Sequence, residues 1–560
     1  MYNIFSFEAG KFELNAPGST RRYLAVLLLF SALLYLGNLA QPEFTGSDEV
    51  RVGAIGAEFV LDHQWVAPRL NGEPFLEMPP LFYWAEALSF KLFGIDNLAA
   101  RLPSALAAIW AVVVCFLFAG KLGFKPFTAF CAALVLAVAP QFWGSGRSAT
   151  VDMLLASLTL TAVFGYYCSA VASPWRQKIG WMLVFALATG GAIMTKGMIG
   201  LAIPGAAVGS WLCCDNLIRR RPTWGNWLLM FSGVMLALLP LALWIYYLNR
   251  ELGWEHGGKV VLITNNFDRF AGNHQDHRES WFYYLRKLGE IFQPWQVFVW
   301  AGVFWFGRKF YRDRNRAALM LLCYLLFPLL LLNIASVKRM VYLLPTNPAM
   351  ALLAGGFIGL LLQGEITWKN RVLAPGRVLY WLGFGLGAVA AVAATVVMVL
   401  PRFLTLRTPE LQPLGFCALL LAILLMWLLR QRQFGRAATT VLLLFPVAFL
   451  LINTLRAERV RSRGIFRTAF TRIAADLADG KELLLINPME RTRGCAVYFL
   501  HRRVTVCTPE EALELQAGNP GRYLLLLNAE EDFRSRFRII RTYQCRKDRF
   551  TLAEIWEKKL

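Results

Sequence analysis

Charge is scarce in this chain. Of 560 residues only 17% are Asp, Glu, Lys or Arg, while 57% are hydrophobic, a balance that excludes an ordinary soluble enzyme of this length. Histidine is scarcer still, at five residues, and none of the ten cysteines falls in a metal-type spacing, which leaves no zinc finger or ribbon. There is no internal repeat or low-complexity tract, so solenoid and disordered-tail architectures are set aside. No strong small-x-small cleavage pattern follows Ala40, and the apolar run before it is long for a signal sequence. That run is therefore read as a retained span.

What the chain does have is long apolar runs. Leu24–Ala40, Leu102–Gly120, Trp227–Leu248 and Leu379–Leu400 each reach the ~20 residues that cross a hydrocarbon core as helices. Further spans are placed near Phe127–Phe142, Met153–Val171, Ile179–Met194, Ile199–Cys214, Phe292–Phe306, Ala317–Ile334, Met340–Leu362, Phe416–Leu429 and Ala438–Leu455. The pattern predicts a polytopic α-helical membrane protein of about thirteen transmembrane helices over residues 1–455. The formal net charge of +22 suggests nucleic acid at first sight, but its distribution argues for topology instead. Arg21, Arg22, Lys121, Lys125, Arg176, Lys178, Arg219–Arg221, Arg308–Arg316, Lys369, Arg371 and Arg430–Arg436 all fall on one side when thirteen spans are counted. That side is the cytoplasm by the positive-inside rule.

Two long segments then lie outside. In residues 41–98, Val50–Leu61 and Leu81–Leu92 read as amphipathic helices lying flat at the membrane interface; residues 249–293 are richer in His, Asn and charge. Residues 456–560, with 21 Lys and Arg against 14 Asp and Glu, read as a small periplasmic α/β domain. Leu483–Ile486, Ala496–Leu500, Val504–Cys507 and Tyr523–Leu527 are its expected strands. Thr508, Pro509 and Glu511 form a capping box. Cys495, Cys507 and Cys545 lie on the oxidising side, where one disulfide with one thiol left over is an open pairing.

Topology nominates a site. Lys196, Arg269, Lys338 and Arg339 are cations on the outer side, against the bias that orders the rest, and four on one face suggest an anion site rather than snorkelling to lipid headgroups. Asp48 follows the first span at once and Asp152 opens the fourth. Carboxylates beside apolar runs are costly unless paired or solvated, although Asp152 also suits a helix start and Asp48 has Arg51 as a ready structural partner. His256, His274 and His277, with Glu77, are weak candidates for a divalent metal such as zinc; hydrogen bonding in a wet loop is the simpler use of these histidines.

The strings Ser47-Asp48-Glu49-Val50-Arg51, Glu77-Met78-Pro79-Pro80, Arg101-Leu102-Pro103-Ser104, Asp152, Thr195-Lys196-Gly197 and Lys338-Arg339-Met340-Val341-Tyr342-Leu343-Leu344-Pro345, in this order, resemble the GT-C polyprenyl-phosphate-sugar glycosyltransferases. Among them the chain is most similar to the lipid A aminoarabinose transferases. The resemblance implies a GT-C fold in a bacterial inner membrane, an undecaprenyl-phosphate-linked donor, a lipid A or other envelope acceptor, no obligatory cofactor and a monomer. It also implies catalytic roles for Asp48 and Asp152 and phosphate-facing roles for Lys196 and Arg269, with Glu77 opening the interfacial Glu-x-Pro-Pro motif; Lys338, Arg339, Arg51 and Tyr342 are further candidates for the donor phosphate. Met78 stands where the family has lysine, and Asn265-Asn266-Phe267-Asp268-Arg269-Phe270 lacks the usual Glu-His start. Both departures bear on which sugar is carried. A protein O-glycosyltransferase of the same fold, a flippase or transporter, and a scaffold displaying the last domain are the alternatives. Transporters keep their charges near the midplane of two similar halves, and no duplication is present here.

The sidedness is directly testable. A reporter fused after Leu455 should be active outside the cytoplasm and one within Arg308–Arg316 inside it. The reverse at either point removes the assignment.

Overall fold

Lipid offers no hydrogen bonds, so a chain this apolar must satisfy its backbone within helices, and the computed structural model is helical wherever the apolar runs lie. It describes residues 15, 18–44, 47–268, 279–280, 282–335, 338–368, 371–372, 375–404, 411–462, 466–477, 480–518, 522–527, 537–545 and 548–555. The first elements are α1 (Ser19–Leu36), α2 (Ser47–Leu61), β1 (Arg69–Leu70), β2 (Glu73–Pro74), α3 (Leu81–Phe93), α4 (Asn97–Lys121), α5 (Pro126–Ala137), α6 (Pro140–Gly146), α7 (Val151–Val171), α8 (Trp175–Lys196), α9 (Ile199–Arg219) and α10 (Trp224–Leu252).

Among the described residues ten helices are long and apolar enough to cross a membrane, or eleven when α5 and α6, which meet at 65°, count as one broken span. Pro140 explains the break: it holds Ala139 extended and opens a new helix. The other places read as spans are helical too. Gln296–Asp313 ends in the charged run from Arg308, and Pro375–Leu404 has a shorter apolar stretch, Gly383–Val399. Alanine is frequent where helices meet, with Ala105, Ala108, Ala111, Ala132, Ala133, Ala349, Ala351 and Ala354 fully buried. Small side chains let helices approach closely, the main attraction available between spans in lipid. Leu29, Leu187, Leu217 and Leu239 lie on exposed faces.

The segment after α1 forms the two helices expected of it, and their surroundings differ. The α3 helix is amphipathic, burying Phe82, Tyr83, Ala87 and Phe90 while Leu88, Leu92 and Phe93 stay exposed. In contrast, α2 presents no lipid face. Val50, Val52, Ala54, Ile55, Ala57 and Phe59 are all buried, because α3 covers one side and the helix Glu490–Leu500 from the last hundred residues covers another. One hydrophobic cluster joins Phe44, Val50, Ile55, Phe82 and Phe90 to Phe470, Leu485, Tyr498, Leu524 and Phe550.

That last region carries a five-stranded sheet in the order Thr505–Cys507, Glu482–Ile486, Tyr523–Leu527, Asp548–Ile555, Phe537–Cys545. The first three are mutually parallel and the last two join antiparallel. Ala496–Leu500 corrects the expected strand list, since it belongs to the helix Glu490–Leu500. A short apolar run cannot separate a buried strand from a buried helix, and the later part of this helix, from Gly494 to Tyr498, is buried at every position because it lies between sheet and α2. The capping box forms as read: Thr508 N–H donates to Glu511 Oε2 at 2.8 Å and Glu511 N–H to Thr508 Oγ1 at 3.3 Å. Cys507 carries a buried free thiol, and the side chain of Cys545 lies outside the described residues.

Glu86 is the anomaly of this core. It is fully buried on α3 against Gly56, and neither carboxyl oxygen has a hydrogen-bond partner. Burial, reinforced by the neighbouring Glu49 charge, holds its pKa well above the usual 4.5. The folded chain therefore keeps a proton that the unfolded chain loses above that value, so stability falls as pH rises from about 4.5 toward the raised pKa. Glu86→Gln, which cannot ionise, should gain melting temperature relative to the parent between pH 5 and pH 8. A difference that does not change with pH removes Glu86 as the titrating group.

Candidate active site

The site is built from its supports outward. Asp96 caps α4 by accepting from Ala99 N–H at 2.7 Å, and one turn on, Arg101 enters the protein 1% exposed. Its Nε donates to Glu49 Oε1 at 3.0 Å and its Nη2 to Glu49 Oε2 at 3.4 Å. Its Nη1 donates to the carbonyls of Leu39, Ala40 and Pro42 at 3.1, 3.3 and 2.7 Å. Glu49 Oε1 also accepts from Ala149 N–H at 3.2 Å, just before α7. One ion pair thus fixes the end of the α1 connection, the start of α2 and the approach to α7.

Asp48, the residue before Glu49, is left half-exposed on the opposite side. Both of its oxygens are engaged: Arg51 Nη2 donates to Oδ1 at 3.0 Å, and Arg339 Nη2 donates to Oδ2 at 2.9 Å. Arg51 is shared. Its Nη1 donates to Glu490 Oε1 at 2.7 Å and stands 4.0 Å from Glu77 Oε2, with the guanidinium 5.3 Å from the centre of the Phe75 ring. Burial opposes the Arg51 charge, but Glu490, then Asp48 and Glu77, outweigh it, so its pKa stands above the ordinary arginine value. For Arg339 the same contest between burial and Asp48 ends the same way.

The second carboxylate has its own cation. Asp152, in the first turn of α7, bonds Lys196, the last residue of α8. A lysine there complements the helix C-terminus. Gly197, at φ 69°, turns the chain immediately afterward. The Lys196 ammonium also sits 4.7 Å from the centre of the Tyr342 ring, a cation–π contact. Tyr342 and Arg339 belong to one tight turn, with Tyr342 N–H donating to Arg339 O at 3.0 Å, and the Asp152 charge is felt at Arg339. The two clusters are therefore neighbours around the Arg339–Tyr342 turn.

Of the sequence candidates, Asp48, Arg51, Glu77, Arg339, Asp152, Lys196 and Tyr342 gather here. Lys338 does not. It is buried, and its ammonium donates to the carbonyls of Ala335 at 2.7 Å and Glu279 at 3.3 Å, because adjacent residues of an extended turn point opposite ways. Arg269, His274 and His277 lie outside the described residues. His256 is exposed, and among the described residues no three His, Cys, Asp or Glu side chains are grouped as metal ligands. Glu490 was not visible as a site residue. It lies 439 residues from Arg51 in a segment with no motif, and nothing local marks it.

The chain's relatives fit this geometry. Residues 25–253 match the family model described as dolichyl-phosphate-mannose-protein mannosyltransferase. The undecaprenyl phosphate-alpha-4-amino-4-deoxy-L-arabinose arabinosyl transferase of Aeromonas salmonicida is 30% identical over 66% of this chain and 65% of its own length. That of Erwinia tasmaniensis is 28% identical over 67% and 65%. The chain thus spans just under two thirds of these relatives in the aligned part. In three dimensions, ArnT from Cupriavidus metallidurans, crystallised with undecaprenyl phosphate, superposes with a TM-score of 0.72 at 21% identity, over 96% of this chain and 98% of that one. The apo form of the same protein gives 0.70. The fold is that of these transferases.

The Asp152–Lys196 pair is about nine-tenths buried on both sides, so removing one partner strands a charge. Lys196→Met should cost roughly 3–5 kcal/mol of stability, and Asp152→Asn in the same chain should restore most of it. A single variant that melts like the parent means that the pair does not hold the structure.

Proposed function

We propose that this chain, with the GT-C fold and the convergent site just described, is an integral membrane glycosyltransferase. In this reading it moves 4-amino-4-deoxy-L-arabinose, or a related sugar, from undecaprenyl phosphate to a lipid A phosphate at the periplasmic face of an inner membrane. The observation that carries the reading is the convergence of Asp48 and Asp152 with Arg51, Arg339 and Lys196 at the ends of apolar helices, where a lipid phosphate would sit.

Transfer breaks the bond between the anomeric carbon and the donor phosphate oxygen, and the electron pair leaves with the polyprenyl phosphate. Cations fixed before that charge returns stabilise the transition state more than the ground state. Lys196 and Arg339 fill this role, with Tyr342 holding Lys196 in place. The new bond forms from an oxygen of the acceptor phosphate, already ionised, so no proton need be removed. The arrangement at Asp48 supports such an acceptor: each of its oxygens accepts from a guanidinium, which suits orienting a charged group, such as an amine on the donor sugar, rather than collecting a proton. We read the reaction as needing no dissociable cofactor and the chain as acting as a monomer in the membrane.

Mass spectrometry of lipid A from cells with and without the protein tests this reading. The expected outcome is a pentosamine-sized addition that depends on the protein. Asp48→Asn should insert normally yet lose transfer by about 10²-fold or more, and chelator treatment of the purified enzyme should leave turnover unchanged. Unaltered lipid A alongside altered movement of lipid-linked sugar across the membrane replaces this reading with transport.

A further inference from the structure

Glu490 reaches the candidate active site from beyond the spans, and it arrives there by close packing. On the helix Glu490–Leu500, a side chain at Gly494 would meet Val50 Cγ1 at 3.2 Å and the Arg51 Cα at 3.5 Å. The glycine lets this helix lie directly on the backbone of α2. One turn earlier on the same helix, Glu490 stands over the Arg51 guanidinium, and its Oε1 accepts from Nη1 at 2.7 Å while Nη2 of the same group donates to Asp48 at 3.0 Å. Arg51 Nε is buried with no partner, so the guanidinium is aimed by these two end-on bonds. Glu77, at 4.0 Å from Nη1, is the anion toward which Arg51 would turn if Glu490 were removed.

We infer that Glu490 is a positioning residue for catalysis: it holds Arg51 between two carboxylates and so fixes the placement of Asp48 from outside the membrane portion of the chain. This rests on the transferase reading above. Asp48 keeps Arg339 on its other oxygen without Glu490, but loses the second bond that sets its rotation. A carboxylate that orients a reacting group loses rate when its geometry loosens, while substrate affinity, set mostly by the lipid and phosphate contacts, changes little.

The test is transfer by the purified full-length chain, with undecaprenyl-phosphate-linked 4-amino-4-deoxy-L-arabinose as donor and lipid A as acceptor, and with melting temperature measured on the same samples. Glu490→Ala should lower kcat by about 10-fold with donor KM within roughly twofold. Glu490→Gln, which keeps an acceptor oxygen, should recover part of the loss. Arg503→Ala serves as the docking control, since Arg503 pairs with Asp62 and Glu58 elsewhere on the same interface; it should lower melting temperature and leave kcat at the parent value. Parent kcat in Glu490→Ala overturns the inference, as does a rise in KM alone or an equal loss of kcat in Arg503→Ala. If the parent itself transfers nothing, the transferase reading fails and the inference falls with it, an outcome distinct from an active parent with an equally active Glu490→Ala.

Discussion

The buried pair of Glu49 and Arg101 is the constraint on which the rest of the site depends. A guanidinium at 1% exposure carries a large desolvation cost, and here every terminal nitrogen and Nε is engaged, by one carboxylate and three carbonyls. Such a group tolerates no loose arrangement: breaking one side of a buried pair typically costs ~3–5 kcal/mol. The consequence is geometric. With Glu49 turned inward and bonded to α4 and to Ala149 just ahead of α7, Asp48 is placed on the outward side of the first turn of α2, and the start of α7 is brought near it with Asp152.

From that fixed start the electrostatics proceed by sharing rather than by isolated pairs. Asp48 divides its oxygens between two arginines, and Arg51 divides its nitrogens between two carboxylates. Asp152 and Lys196 form a more enclosed pair beside Tyr342. The charges nearly balance, which lets them persist in a largely apolar chain, yet Asp48 and Arg339 keep substantial exposure. A phosphate entering there would meet cations already oriented, so little reorganisation remains for the chemical step.

Much of this was legible in the sequence because lipid imposes simple rules. Helix positions followed from apolar length, and Lys196 and Arg339, read as outer cations, stood out because they broke the charge bias. The same logic failed at Lys338, where charge bias gives the side of the membrane and not the direction of a side chain. It failed for α2, read as interfacial from its own periodicity, because a helix covered later by a distant segment looks the same in sequence as one covered by lipid. Ala496–Leu500 misread as a strand for a related reason: enclosure on all sides erases the period that distinguishes helix from strand. Arg101 appeared in a recognisable string without its role, and Glu490 gave no signal, since a contact across 439 residues leaves no local pattern.

The core that joins Phe44, Tyr498 and Phe550 also has a bearing on how the protein is made. The segment between the first two spans is synthesised long before the surface that covers α2, since Glu490 follows Arg51 by 439 residues. During insertion that segment must wait, its apolar side chains uncovered, until all the later spans have been threaded and the final hundred residues have reached the same side. A chain stalled or cut short before residue 490 would hold its spans and both site carboxylates and still lack the helix that closes over them. Synthesis of this distant helix is thus built into the completion of the site.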